Sequence, residues 1–86
     1  MKLPIIKHLT NFIEENDEDY LIEAMEVLES MIEIPSLKDE ELDVIGELLS
    51  NLSGALEVKN KMRTEGISQK DALNDFMKRV TGSIDK

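Results

Sequence analysis

The amino-acid sequence predicts an all-α fold, a compact four-helix bundle with a long central third helix, as a single domain over residues 1–86. Three observations carry that prediction. Apolar residues recur at intervals of three and four in four successive segments, with none of the sustained alternation that a half-buried strand requires. Helix start and stop signals fall between those segments. The length leaves room for one modest core, and with aromatics at only 3% that core must come from interdigitating Leu, Ile, Val and Met.

The first segment runs from about Pro4 to Glu15. Proline suits a first helical turn, where its missing N–H would be unpaired anyway, and Ile5, Ile6, Leu9, Phe12 and Ile13 share one face. Asn16 or Asp17 then breaks and re-caps the chain. Glu18 and Asp19 stand in the next first turn, at the positive end of the helix dipole, followed by a stripe of Tyr20, Leu21, Ala24, Met25, Leu28, Met31 and Ile32. Ile34-Pro35-Ser36 ends that helix.

The third segment, from about Lys38 to Glu65, opens on Asp39, Glu40 and Glu41 and closes on Lys59, Lys61 and Arg63, the charge order the macrodipole prefers. Its N-terminus has two readings: Lys38 as cap with Leu37 and Leu42 as a hydrophobic staple, or Ser36 with Asp39 as a capping box. Apolar residues from Leu42 to Met62 cover about half of its circumference, wider than an ordinary surface stripe. This helix should therefore be central. Gly66 closes it, Ser68-Gln69-Lys70-Asp71 opens the fourth as a capping box, and Ala72, Leu73, Phe76, Met77 and Val80 form a clean stripe that Gly82 should stop.

Composition removes several function classes. The chain has no Cys, no Trp, a single His, and 19 acidic against 10 basic residues, for a net charge of −9. Absence of Cys excludes disulfides, thiol catalysis and thiolate zinc sites. Residues 1–57 hold 15 acids and three bases, whereas residues 58–86 hold four acids and seven bases. So negative a body repels phosphate backbones, and the basic end is too sparse for a nucleic-acid face. The asymmetry would suit an antiparallel homo-oligomer. Only short apolar pairs interrupt the charges of the N-terminal stretch, so neither a signal peptide nor a membrane span is expected, and a cytoplasmic address follows.

Catalytic and metal-binding readings fare poorly. The run Glu14-Glu15-Asn16-Asp17-Glu18-Asp19 has Leu21 and Ile22 where a calcium loop needs a ligand and a glycine. Glu23, Glu26, Glu29 and Glu33 make a carboxylate ladder without the inward Glu-x-x-His pairs of a di-iron bundle. His8 flanks the first stripe, and no serine elbow supplies it with a nucleophile. No catalytic residue, metal or cofactor is expected.

Ser36-Leu37 before a helix in a small acidic four-helix chain resembles the acyl carrier proteins, which implies Ser36 as a phosphopantetheine attachment site and a carrier or ligand-binding role as the alternative. Pro35 stands where that family usually has Asp, and residues 17–33 read as helix where it has a long loop.

Two surface features point instead to partners. Ile22 is an apolar residue between Glu26, Glu29 and Glu33. Gly46, Ser50 and Gly54 form a strip of small residues four apart, which suits close approach by another helix, an internal neighbour first and a second subunit next.

Finally, the opening Lys2-Leu3-Pro4-Ile5-Ile6-Lys7-His8-Leu9, the run from Glu14 to Tyr20, the run from Pro35 to Leu48 and the closing Phe76-Met77-Lys78-Arg79-Val80 resemble a small bacterial family of unknown function, over nearly the whole chain. The resemblance implies gene neighbours encoding peroxiredoxin and thioredoxin, and hence one of these as a protein partner. The expected function is a non-enzymatic interaction module or self-associating bundle, with Ile22, Gly46, Ser50 and Gly54 as its surface.

Overall fold

The computed structural model describes residues 3–84, with side chains from residue 3 to residue 80; Met1, Lys2 and the last two positions lie outside the described residues. Four helices follow one another: α1 (Leu3–Glu15), α2 (Asp19–Ile32), α3 (Asp39–Glu65) and α4 (Gln69–Ile84). The expected bundle with a long central third helix is what forms, since α1, α2 and α4 all pack on α3. No described helix is long and apolar enough to cross a membrane.

Local chemistry sets the boundaries. Asp17 accepts the Asp19 N–H at 3.0 Å, turning the chain from α1 into α2. Lys38, in extended conformation, is the N-cap of α3, and its N–H donates to the Glu41 carboxylate at 2.9 Å. Of the two readings of this cap, the structure takes the one that leaves Ser36 outside. Gly66 ends α3 in the left-handed region at φ 63°, with its N–H on the Met62 carbonyl at 3.0 Å. Ser68 Oγ accepts the Asp71 N–H at 3.2 Å and opens α4. Gly82 does not stop that helix, which continues to Ile84: an interior glycine costs only about 1 kcal/mol, too little to end a helix by itself.

The three shorter helices divide α3 between them. Ion pairs join Glu14 to Lys59 and Glu18 to Arg63, while Thr10 and Asn11 reach Gln69 just past the end of α3. Thus α1 and the junction after it pack beside the C-terminal half of α3. Helix α4 returns along the same half, with Arg79 paired to Glu57. Helix α2, joined to α3 by the turn at 33–38, packs along the N-terminal half of α3, with Leu28 and Met31 beside Ile45 and Leu48. At the junction between α1 and α2, Phe12 and Tyr20 meet edge to face with ring centroids 5.8 Å apart.

The core reflects this division. Ile6, Ile13, Leu21, Ala55, Val58, Ala72, Leu73 and Phe76 are buried together, all of them around the C-terminal half of α3. Two polar side chains join them: Thr10, whose hydroxyl donates to the Lys7 carbonyl at 2.8 Å, and Asn51, whose amide donates to the Glu47 carbonyl at 2.9 Å. Expected core position Ile5 is instead exposed. The radius of gyration, 14.0 Å against about 12 Å for a spherical domain of this length, records the part of the molecule that projects beyond that core.

Candidate functional site: the apolar face of the α2–α3 arm

The projecting part is a two-helix arm made of α2 and the first half of α3. Two packed helices cover only one strip of each other, and the apolar arc of α3 is wider than one strip. What α2 leaves uncovered faces outward. Val44 is 60% exposed and Leu48 45% exposed, whereas Val58, farther along the same helix under α1 and α4, is 0% exposed.

Across from them on α2, Val27 is 61% exposed and Met31 38%. Leu28, Met31, Leu37, Val44, Ile45 and Leu48 line a groove of about 450 Å³, with Glu40 and Glu41 at its rim. Covering Val27, Met31, Val44 and Leu48 would contribute on the order of 3–6 kcal/mol before the cost of ordering an occupant.

The arm is also strongly acidic. From Asp19 to Ser50 there are ten acids and one base, Lys38. The basic C-terminal third is differently placed, because four of its seven bases already hold carboxylates within the chain: Lys59 with Glu14 at 2.5 Å, Lys61 with Glu65 at 3.0 Å, Arg63 with Glu18, and Arg79 with Glu57. The hydrogen bond that Lys61 donates to Glu65, one turn on, raises the Lys61 pKa above the ordinary lysine value, and the bond that Arg63 donates to Glu18 does the same for Arg63.

The residues singled out in the sequence fall elsewhere. Ile22 is 40% exposed, as expected of a surface residue, but it lies roughly 180° around α2 from the groove residue Met31 and so outside the groove. Gly46 and Ser50 sit roughly 200° around α3 from Val44 and Leu48. An added Cβ at Gly46 would meet nothing within 4 Å, so the expected close internal neighbour is absent there. Ser50 is exposed, and Gly54 is buried on the floor of a separate open cleft between Met25 of α2 and Phe76 and Val80 of α4. The small-residue strip is thus split between open surface and core.

Val27 lies outside the stripe expected on α2, Val44 and Leu48 belong to the wide apolar arc expected on α3, and Tyr20, Met31 and Ile32 of the α2 stripe are exposed rather than buried. The width of that arc was the available signal, since three shorter helices cannot surround all of α3.

His8 is exposed on α1, and Ser36 is exposed in the turn before α3. The acidic junction at 14–19 is tied to α3 through Lys59 and Arg63, and among the described residues no group of His, Asp and Glu is arranged to hold a metal ion.

No curated protein and no solved structure shows significant similarity to this chain. A family model described as "family of unknown function (DUF6952)" matches residues 1–85. The chain therefore belongs to that family, and the acidic arm is a feature of a member whose family carries no assigned activity.

Proposed function

We propose that this protein is a non-enzymatic interaction module whose docking face is the apolar side of the α2–α3 arm. The observation that carries the reading is the pair Val44 and Leu48: two large aliphatic side chains, one turn apart on the central helix, left open to solvent beside Val27 and Met31. A chain this small has little apolar area to spare from its core, and a contiguous exposed patch with a polar rim is what partner surfaces look like.

A peroxiredoxin or thioredoxin is the partner that the family resemblance implies. Lacking Cys, the chain would dock on such an enzyme without relaying electrons.

The test compares proteins retained by the tagged chain and by the Val44→Ser/Leu48→Ser variant, with circular dichroism confirming equal helix content. The reading expects a defined protein retained by the wild type and lost from the variant. Identical retention by both would sink it.

A further inference from the structure

Resting on that reading, we infer that the occupant of the arm groove is a basic amphipathic helix supplied by another protein. The groove lies between two antiparallel helices and runs along them from Leu37 to Leu28 and Leu48, and a third helix is the element that fits such a seam by ridge-into-groove packing. Its α3 wall runs from Glu40 to Leu48, about 12 Å at 1.5 Å per residue, so the seam accepts about two turns of an occupant helix. Its floor selects an apolar stripe at positions i, i+3 or i+4, and i+7, and Met31 supplies the adaptable wall such seams use.

The charge around the seam selects the other face. Ten acids against one base between Asp19 and Ser50 give the arm a negative field that attracts Lys and Arg, and two of those acids, Glu40 and Glu41, flank the apolar floor itself. A second copy of this chain is the competing occupant. Arm-on-arm pairing would set two such rims against each other, and the basic end that could have complemented an arm has four bases engaged within its own subunit. Charge complementarity therefore favours a basic partner.

The probe is a fluorescein-labelled 16-residue peptide carrying Leu at the i, i+3, i+4, i+7 positions and Lys or Arg on the opposite face, titrated with the full chain and read by anisotropy. Two control peptides accompany it, one with Glu in place of every base and one with the same composition scrambled so that no apolar face exists. The basic amphipathic peptide should bind at least about tenfold more tightly than either control and weaken as salt rises. Val44→Ser/Leu48→Ser should remove that preference with helix content unchanged, and Glu40→Gln/Asp43→Asn should weaken binding while leaving the apolar floor intact.

Equal binding of the scrambled peptide would overturn the inference by showing charge attraction alone, and equal binding of the acidic peptide would overturn it by showing burial alone. If no peptide binds and sedimentation instead shows a dimer that Val44→Ser/Leu48→Ser dissociates, the occupant is a second copy: the inference falls and the interaction module stands. If the arm variant alters neither peptide binding, nor self-association, nor the retained proteins, both fall.

Discussion

Thr10, fully buried on α1, accepts a hydrogen bond from Gln69, the first residue of α4, across 59 positions of sequence. The same amide donates to Asn11 at 2.8 Å, so one side chain at the start of α4 clasps the middle of α1. Replacing Thr10 by the isosteric Val removes the acceptor and leaves Gln69 with half its clasp. Urea unfolding should show a loss of about 1 kcal/mol, and Gln69→Ala should cost a similar amount with the double mutant losing less than the sum.

Gly46 and Gly66 should respond to Ala in opposite directions. At Gly46 a Cβ meets nothing within 4 Å in a regular helix, so Gly46→Ala should stabilise by about 0.5–1 kcal/mol. Gly66 holds φ 63°, where a Cβ is strained whatever the space, and Gly66→Ala should destabilise by about 1–2 kcal/mol. Thermal melts of the two variants, moving up and down respectively, check both.

The contribution of the basic end to stability should be insensitive to pH through neutrality. Lys61 has its pKa raised by its bond to Glu65. A raised folded pKa gives stability that is fully present below the unfolded lysine value of about 10.4 and is lost as pH climbs through the higher folded value. Lys61→Met should therefore leave the pH dependence unchanged between about pH 6 and 9 and blunt the alkaline decline. The pair is solvated, so its loss should be small and should shrink further with added salt.

Ser36 should remain unmodified. It is exposed in the turn at 33–38, but Pro35 precedes it and a formed α2, entered through the Asp17 turn, occupies the stretch where a carrier protein has a long loop. After co-expression with a phosphopantetheinyl transferase, intact mass should equal that of the polypeptide. A prosthetic-arm adduct lost in Ser36→Ala would restore the carrier function.

Much of the fold was legible because its determinants are local. The Asp17 turn, the Gly66 left-handed cap and the Ser68 cap each act within four residues, and each sits where the sequence puts it. Gly82 misled because a glycine can end a helix or be tolerated inside one, and the chain around it decides. Thr10 and Asn51 were invisible as core members, since a polar residue is buried only when a specific acceptor or donor is waiting, and in Thr10's case that partner is Gln69, far along the chain.

The candidate site was hidden for a related reason. Periodicity tells which side of α3 is apolar, and it is silent on how much of that side neighbouring helices cover. Val44 and Val58 are two turns of the same argument in the sequence, yet one lies open and the other is fully enclosed. Only the shared preference of α1 and α4 for one half of α3 separates them.

Unequal company along α3 also divides the molecule into units of different cooperativity. Backbone hydrogen bonds near Ala55 and Val58 can break only when α1, α4 and the start of α2 come away together, whereas those near Val44 need only the arm to fray. The arm is thus the segment that can open and reclose while the body remains folded, and an occupant of its groove would tighten by ordering it, turning recognition into a local gain of rigidity on an otherwise unchanged scaffold.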